Sequence, residues 1–206
     1  LHLVQTRHEQ GASHMADGYA RTCGKIGVCL ATSGPGATNL VTGLGTAYAD
    51  SSPVLAITGQ VASPGLGYDA FQEVHITGIT LPVTKHNYLI TRAEEIALAV
   101  KRAVHIATSG RPGPVHLDIT KDALEQTCEF EYPEMAGLRG FELPDKPAEE
   151  DLDTILKMVD EAEKPLVLAG RGVLLSGTGN ELLEFLDNGN LPMVSSLLGI
   201  SAVHDG

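Results

Sequence analysis

An acidic residue and a glycine-rich turn are the features of this sequence best suited to chemistry. Glu9 follows a short apolar stretch, residues 1–4, and precedes a segment with helical apolar periodicity, residues 10–22. A second apolar stretch, residues 26–31, ends in a Thr-Ser-Gly-Pro-Gly turn at residues 32–36. In an open parallel sheet, ligands bind outside the carboxyl ends of the strands. Because Glu9 and this turn would both lie at that edge, we predict that they line a cofactor crevice.

Each of these features also has a simpler interpretation when it is taken singly. An acid at the start of a helix is favourable to the helix dipole. Residues 34–39 approximate the dinucleotide pattern GxGxxG, with Asn39 in place of the last Gly. The following strand ends at Gln60 without the acid that would hold a ribose, which disfavours NAD binding. The simpler interpretation of the other candidate residues is that they are turn, helix-start or surface residues. These candidates are Phe71, Gln72, Arg111, Lys121, Gly170 and Gly172.

Short apolar stretches alternate with amphipathic segments, and this alternation predicts an α/β fold with a mostly parallel sheet flanked by helices. Predicted strands cover residues 1–5, 26–31, 53–58, 83–90, 115–119, 166–169 and 193–196. Predicted helices cover residues 10–22, 36–50, 73–80, 92–109, 148–163 and 180–186. The first helix should bury one face. That face carries Ala12, Met15, Ala16, Tyr19 and Ala20. The strand at 26–31 is apolar enough to be buried on both sides of the sheet.

An acidic, proline-containing stretch at residues 125–147 is typical of a surface linker. It separates a predicted first domain, residues 1–124, from the predicted start of a second α/β domain, residues 148–206. The chain begins with Leu inside a strand-like stretch, so we expect that the N-terminal part of the first domain precedes it. The second pattern stops too soon to close a domain.

Composition restricts the possible partners. A net charge of −12 argues against nucleic acid and against an anionic membrane surface. No apolar stretch approaches the ~20 residues of a membrane span. Three cysteines without CxxC spacing favour a reducing compartment, the cytoplasm or an organelle reached through a removed transit peptide. The dispersed histidines predict no metal site built from this chain alone.

Several motifs, in this order along the chain, resemble one enzyme family. The matching segments are RHEQGASHMADGYAR at 7–21, TSGPGATNLVTG at 32–43, DAFQE at 69–73, GRPGPVHLDITKD at 110–122 and LAGRGV at 168–173. Together they resemble the catalytic (large) subunit of the thiamine diphosphate-dependent acetohydroxyacid synthases, also called acetolactate synthases. The resemblance is dense over residues 1–122 and looser over residues 150–200. It implies a pyrimidine-binding α/β domain followed by the start of a second, Rossmann-like α/β domain, the middle domain of the family.

The resemblance also implies roles for particular residues. Glu9 matches the catalytic glutamate that hydrogen-bonds the pyrimidine ring of thiamine diphosphate and thereby promotes loss of a proton from the thiazolium carbon. The other implied thiamine diphosphate-binding residues are Pro35, Gly36 and Asn39. The implied substrate-binding residues are Phe71, Gln72 and Lys121. The implied FAD-binding residues are Arg111, Gly170, Gly172, Leu197 and Leu198. The family often has three glycines where this chain has Gly-Arg-Gly at 170–172, which weakens the FAD expectation.

The implied reaction condenses pyruvate with pyruvate or 2-ketobutyrate, with loss of CO2, in branched-chain amino acid biosynthesis. The implied assembly is a homodimer or homotetramer, with a small regulatory subunit as a further partner. Mg²⁺ and the diphosphate would be bound by a domain that this stretch does not show, so the 206 residues alone are expected to be inactive. Two alternatives stay open. One is another thiamine diphosphate-dependent keto-acid decarboxylase or pyruvate oxidase, and the other is a non-catalytic binding or assembly module.

Overall fold

A computed structural model of the chain describes residues 2–134, 138 and 146–203. The chain divides into two compact units, Leu1–Leu143 and Pro144–Gly206. The boundary between these units falls inside the stretch predicted to be a linker, residues 125–147. Part of that linker lies outside the described residues.

The first unit is built on a four-stranded parallel sheet with the strand order β1-β2-β4-β3. Its strands are β1 (Gly27–Ala31), β2 (Val54–Gln60), β3 (His86–Ile90) and β4 (Val115–Thr120). Its helices are α1 (Glu9–Cys23), α2 (Pro35–Asn39), α3 (Val41–Ala49), α4 (Ile76–Thr80), α5 (Ala93–Thr108) and α6 (Lys121–Glu125). Because all four strands run in the same direction, the segments that follow them meet at one edge of the sheet. The predicted parallel α/β architecture is confirmed.

The core of this unit surrounds the central strand β4, all six residues of which are buried. Leu117 of β4 is fully buried, and Ala103 and Ala107 of α5 pack in the same cluster. The helix predicted at 92–109 is therefore present as α5 and packs against β4. A strand covered on both faces can carry a continuous apolar run, but β4 also places two ionisable side chains, His116 and Asp118, in the interior.

The second unit contains a two-stranded parallel sheet and three helices. Its elements are α7 (Glu149–Asp160), β5 (Val167–Ala169), α8 (Arg171–Ser176), α9 (Gly179–Gly189) and β6 (Met193–Ser195). Both predicted strands and both predicted helices of this unit are present within a few residues of their expected bounds. Helix α8 was not predicted, because the sequence at 170–172 was interpreted only as a turn.

The structure corrects the prediction for the N-terminal region in two respects. Residues 2–6 have no regular secondary structure, whereas a strand was predicted at 1–5. Helix α1 buries Ala16 and Ala20 but leaves Met15 and Tyr19 about half exposed. The predicted apolar face of α1 is therefore only partly buried, and its small residues Ala16 and Ala20 are the buried part.

The structure also corrects the prediction for the strand at 26–31. Strand β1 lies at the end of the described sheet, and Val28 and Leu30 are more than half exposed. Only the alternate residues of β1 face the core, so β1 is buried on one side rather than both. Cys29 is one of these inward residues, and burial raises the pKa of its thiol to about 12.

Two further predicted elements differ in their limits. The helix expected at 36–50 is divided into α2 and α3 at Leu40. The helix expected at 73–80 is confined to α4, and the strand expected at 83–90 begins only at His86 because a 3-10 turn occupies Leu81–Val83. Gly24 ends α1 in the left-handed conformation, as its position after the apolar periodicity predicts.

Within the described ranges, the structure holds no helix with the length and apolar character that crossing a membrane requires. Among the same residues, it groups no three His, Cys, Asp or Glu side chains in an arrangement that could bind a metal ion.

Candidate functional site

Glu9 is the first residue of α1, and the residue before it fixes where the helix begins. His8 has an extended backbone, and its Nδ1 accepts a hydrogen bond from the N–H of Gln10 at 3.1 Å. This cap satisfies one of the N–H groups that a helix start leaves without a partner. As a result, the carboxylate of Glu9 is held at the positive end of the α1 dipole.

The carboxylate of Glu9 contacts the helix that follows the glycine turn, which we define as residues 34–36. Glu9 Oε2 accepts a hydrogen bond from Asn39 Nδ2 at 3.0 Å. That hydrogen bond and the backbone N–H at the helix start lower the pKa of Glu9, so the side chain is ionised at neutral pH. Glu9 is half-buried. The structure therefore brings together the acid and the turn that the sequence placed at one edge of the sheet.

Gly36 is buried and packs closely against Thr32 and the Glu9 carboxylate. A Cβ at this position would lie 2.7 Å from Thr32 Cγ2 and 3.5 Å from Glu9 Oε1. A side chain at position 36 would therefore displace Thr32 and crowd the carboxylate. Pro35, the first residue of α2, is exposed beside it.

The loop between β2 and α4, residues 61–75, lies directly on the same turn. Gly34 has φ +61°, and a Cβ there would lie 2.6 Å from the carbonyl oxygen of Gln72 and 2.9 Å from its Cβ. Gln72 itself has a positive φ of +59°. Phe71 next to it is 88% exposed. The structure thus places Phe71 and Gln72, both predicted to bind substrate, beside the turn predicted to bind cofactor.

Carboxylates that the sequence did not single out hold this 61–75 loop in place. Glu73 accepts hydrogen bonds from the N–H groups of Gly67 and Ala70. Asp122 Oδ1 accepts hydrogen bonds from the N–H of Ser63 at 2.9 Å and from its hydroxyl at 3.2 Å. These hydrogen bonds lower the pKa values of both carboxyl groups, that of Asp122 to about 2. Both acids were visible only as ordinary surface residues, and no spacing in the sequence distinguishes them.

The sequence also did not predict that Thr58, Gln60, His116 and Asp118 form a buried polar cluster under the loop. Thr58 Oγ1 donates to Asp118 Oδ1 at 2.6 Å, and Gln60 Nε2 donates to Asp118 Oδ2 at 2.9 Å. Burial raises the pKa of Asp118 to about 6 and lowers that of His116 to about 4. His116 is therefore neutral near pH 7. The one available signal was the presence of two ionisable residues inside a strand that is otherwise apolar.

Lys121 and Arg111 lie at opposite ends of strand β4. Lys121 follows β4 at the same edge as Glu9, but its exposed Nζ lies 3.7 Å from Glu125 Oε1. Arg111 precedes β4, and its Nε donates to Ser51 Oγ at 2.6 Å while Nη2 donates to the carbonyl of Ala49 at 3.1 Å. The structure therefore leaves Arg111 apart from Glu9 and holds it at the end of α3.

Four predicted FAD-binding residues converge within the second unit. Gly170 precedes α8 at the end of β5, and a 3-10 turn, Leu197–Gly199, follows β6. A Cβ at Gly170 would lie 3.8 Å from Ser196 Oγ, so the two segments are neighbours at the carboxyl ends of adjacent parallel strands. The space around the Cα of Gly172 is open, and Leu197 is strongly exposed while Leu198 is half-buried.

Two protein-family models match segments of the chain. Residues 1–79 match the N-terminal thiamine pyrophosphate-binding domain of thiamine pyrophosphate enzymes, and residues 152–206 match the central domain of the same enzymes. The chain belongs to the thiamine pyrophosphate enzyme family. The first match contains Glu9, the glycine turn and Asn39. The second contains the Gly-Arg-Gly segment and the 3-10 turn that follows β6.

Curated members of the family are similar to the chain over nearly its whole length. Acetolactate synthase of Arthrospira platensis is 50% identical over 195 residues, which are 94% of this chain and 34% of that protein. The probable acetolactate synthase large subunit of Methanocaldococcus jannaschii is 47% identical over 202 residues, 97% of this chain and 34% of that protein. The acetolactate synthase large subunit of Corynebacterium glutamicum is 46% identical over 197 residues, 96% of this chain and 32% of that protein. The chain thus spans about a third of the length of these relatives.

Proposed function

We propose that this chain forms the pyrimidine-binding part of an acetolactate synthase. The proposed enzyme condenses two 2-keto acids, pyruvate with pyruvate or with 2-ketobutyrate, and releases CO2. The observation that carries the proposal is the contact between Glu9 and Asn39 beside the closely packed Gly36. The relatives' names support the choice of this reaction over others catalysed by thiamine pyrophosphate enzymes.

Glu9 would bind thiamine diphosphate through its aminopyrimidine ring. When bound, this cofactor supplies a nucleophilic carbon that adds to a keto group and accepts the electron pair released with CO2. Glu9 is ionised, so it can accept a hydrogen bond from a ring N–H and favour the tautomer that carries that proton. Asn39 would keep the carboxylate oriented, because it donates to one carboxylate oxygen and leaves the other for the ring.

Substrate would bind where the 61–75 loop meets the glycine turn. Phe71 offers an exposed apolar ring, which suits the methyl or ethyl group of the keto acid, and Gln72 offers an amide for its polar end. Lys121 lies at the same sheet edge and carries the charge that a substrate carboxylate would attract. Its contact with Glu125 is long and exposed, so little free energy opposes its reorientation.

The remaining cofactors and partners are proposed on the resemblance. FAD would contact Gly170, Gly172, Leu197 and Leu198, where the lack of a side chain at Gly172 leaves room for a ligand. Mg²⁺ and the diphosphate group of the cofactor would be bound by residues other than those of the site around Glu9. The proposed oligomeric state is a homodimer or homotetramer. A small regulatory subunit is the proposed further partner. We expect the 206 residues expressed alone to give no turnover.

The proposed role of Glu9 is tested with Glu9→Gln in the holoenzyme. Gln keeps the shape of the side chain but removes its charge, so proton exchange at the reactive cofactor carbon should slow by about 10²–10⁴-fold. Exchange of that proton for deuterium is followed by NMR. Glu94→Gln is the matched control, since Glu94 is also an acid in the first turn of a helix, α5. Exchange at the wild-type rate in Glu9→Gln would refute the assignment.

Product analysis tests the choice of reaction. Wild-type holoenzyme supplied with pyruvate and 2-ketobutyrate should form acetolactate and acetohydroxybutyrate. Release of acetaldehyde alone would instead indicate a keto-acid decarboxylase, and consumption of oxygen or another electron acceptor would indicate a pyruvate oxidase. A chain that binds thiamine diphosphate but forms none of these products in the holoenzyme would be a binding module.

A further inference from the structure

The 61–75 loop reaches the glycine turn in a conformation that must be imposed by its surroundings. Asp69 and Gln72 have positive φ values of +54° and +59°, a region that residues other than Gly seldom adopt. Such conformations are energetically unfavourable and persist only where neighbouring contacts determine them. Gln72 is also the residue that packs on Gly34. The contacts that hold the end of this loop therefore decide where Gln72 lies.

Gln60, the last residue of β2, makes the contact that holds this end of the loop. Its Nε2 donates to the carbonyl of Val74 at 2.9 Å, two residues after Gln72. Its Oε1 accepts from the N–H of Val61 at 2.9 Å, the first residue of the loop. One side-chain amide thus joins the first residue of the loop to a residue near its end. Gln60 is buried, so water does not compete for these hydrogen bonds.

Asp118 fixes the orientation of that amide. Gln60 Nε2 donates its second hydrogen to Asp118 Oδ2 at 2.9 Å. If the amide were turned over, its oxygen would face both the Asp118 carboxylate and the Val74 carbonyl, and its N–H groups would face the Val61 N–H. The hydrogen bonds allow one orientation only. The side chain of Asp118 is 1% exposed and accepts through both oxygens.

Neighbouring hydroxyl and imidazole groups orient Asp118 in turn. Thr58 Oγ1 donates to Asp118 Oδ1 at 2.6 Å and lies 2.7 Å from His116 Nε2. Because Thr58 has one proton, which goes to Asp118, neutral His116 donates from Nε2 to Thr58. Its Nδ1 lies 3.1 Å from Thr80 Oγ1, whose own proton is donated to the carbonyl of Ile76 at 3.0 Å. The hydrogen bonds thus run in one direction toward the carboxylate. The cluster joins β2 and β4 to α4, which directly follows the loop.

We propose that Gln60 and Asp118 are positioning residues: Asp118 orients the Gln60 amide, and Gln60 holds the 61–75 loop so that Gln72 stays against the glycine turn, where the keto acid binds. This inference rests on the proposed function. Neither residue touches the cofactor or the reacting atoms. Glu9 lies on α1 and is held by its own cap and by Asn39, so it does not depend on this anchor.

Gln60→Met in the holoenzyme tests the anchor. Met has a similar length but makes none of the three hydrogen bonds, so the loop end is released. The KM for pyruvate should rise by about tenfold or more, the factor expected when one well-placed interaction is lost. Proton exchange at the reactive cofactor carbon should stay within about twofold of wild type, because Glu9 is unchanged. Amide hydrogen exchange in residues 61–75 should accelerate.

Two further variants separate positioning from general loss of stability. Gln126→Met is the matched control: Gln126 Oε1 accepts from the N–H of Ala93 at 3.2 Å, so the same change removes an amide–backbone bond from α5 rather than from the loop. It should alter neither KM nor loop exchange. Asp118→Leu keeps the branching at Cγ but removes the group that orients Gln60. It should raise KM by less than Gln60→Met does.

The outcomes also distinguish this inference from the proposed function. Wild-type holoenzyme that neither exchanges the cofactor proton nor forms acetolactate refutes the proposed function. Wild-type holoenzyme that does both, with unchanged KM and loop exchange in Gln60→Met, refutes the positioning role alone. If Gln60→Met and Asp118→Leu both fail to fold while Gln126→Met folds, the cluster determines folding, and the positioning role is likewise refuted.

Discussion

Gly34 provides a sharp test of how closely the loop and the glycine turn are packed. The residue has φ +61° and ψ −119°, and a Cβ would lie 2.6 Å from the backbone carbonyl oxygen of Gln72. Gly24 has a similar φ of +64°, but a Cβ there would have no neighbour within 4 Å. Replacing each by Ala therefore imposes a positive φ in both cases and a backbone clash in only one.

The two substitutions should differ in magnitude. Gly24→Ala costs about 1 kcal/mol of unfolding free energy, the usual cost of placing a Cβ in the left-handed region. Gly34→Ala adds a ψ that L residues avoid and a contact with main chain that only a shift of the 61–75 loop can relieve. Its total cost should be roughly 2–4 kcal/mol.

Thermal unfolding of the chain, followed by circular dichroism, measures this difference. The melting temperature should fall by roughly 2–4 °C in Gly24→Ala and by roughly 5–15 °C in Gly34→Ala. In the holoenzyme, Gly34→Ala should also reduce kcat/KM for pyruvate, because Gln72 moves, whereas Gly24→Ala should not. If Gly34→Ala is no more destabilising than Gly24→Ala, the loop does not rest on the turn.

Two further predictions concern the interior of the first unit. Desolvation raises the pKa of Asp118 from 3.8 to about 6, so between these pH values the folded state holds a proton that the unfolded state has lost. The unfolding free energy of the wild type relative to Asp118→Leu should therefore fall by about 3 kcal/mol as pH rises from 3.5 to 7; a pH-independent difference in urea unfolding would contradict the raised pKa. Leu117 is fully buried and Leu30 is more than half exposed, so Leu117→Ala should lower the unfolding free energy by about 2–5 kcal/mol and Leu30→Ala by much less. Equal effects would mean that β4 is not the centre of the core.

The predicted proximity of Glu9 to the glycine turn is observed, although one premise of that prediction is wrong. The turn does follow a strand of the parallel sheet, but residues 2–6 before Glu9 form no strand, and Glu9 reaches the turn from the start of α1. The partner of Glu9, Asn39, occupies a helix position that only the family resemblance singled out. The hydrogen bond between them requires the packing of α1 against α2, which no periodicity describes.

The exposure of strand β1 and of Met15 and Tyr19 shows what apolar patterns omit. An apolar sequence such as Gly-Val-Cys-Leu-Ala is compatible with a strand that is buried on both sides. Whether both sides are buried depends on the elements that pack on the strand. Here one side of β1 meets the core and the other does not. Patterns report the preference of a residue, and burial also depends on what covers it.

The loop anchor could not be predicted because each of its bonds joins segments distant in sequence. Gln60 is 14 residues from Val74 and 58 residues from Asp118. A Gln at the end of a strand and an Asp within the next neighbouring strand are unremarkable residues until the register pairs β2 with β4. The buried acid is a departure from strand patterning, and such departures are where functional or positioning roles concentrate.

The inward-facing thiol of β1 gives the first unit a chemical reporter of its own unfolding. Cys23 and Cys128 are exposed, whereas Cys29 is buried with a pKa near 12 and carries almost no thiolate at neutral pH. An alkylating reagent should therefore label two sites at once and the third only after β1 has separated from the core. The rate at which Cys29 is modified therefore reports how often β1 separates from the core, without any engineered probe.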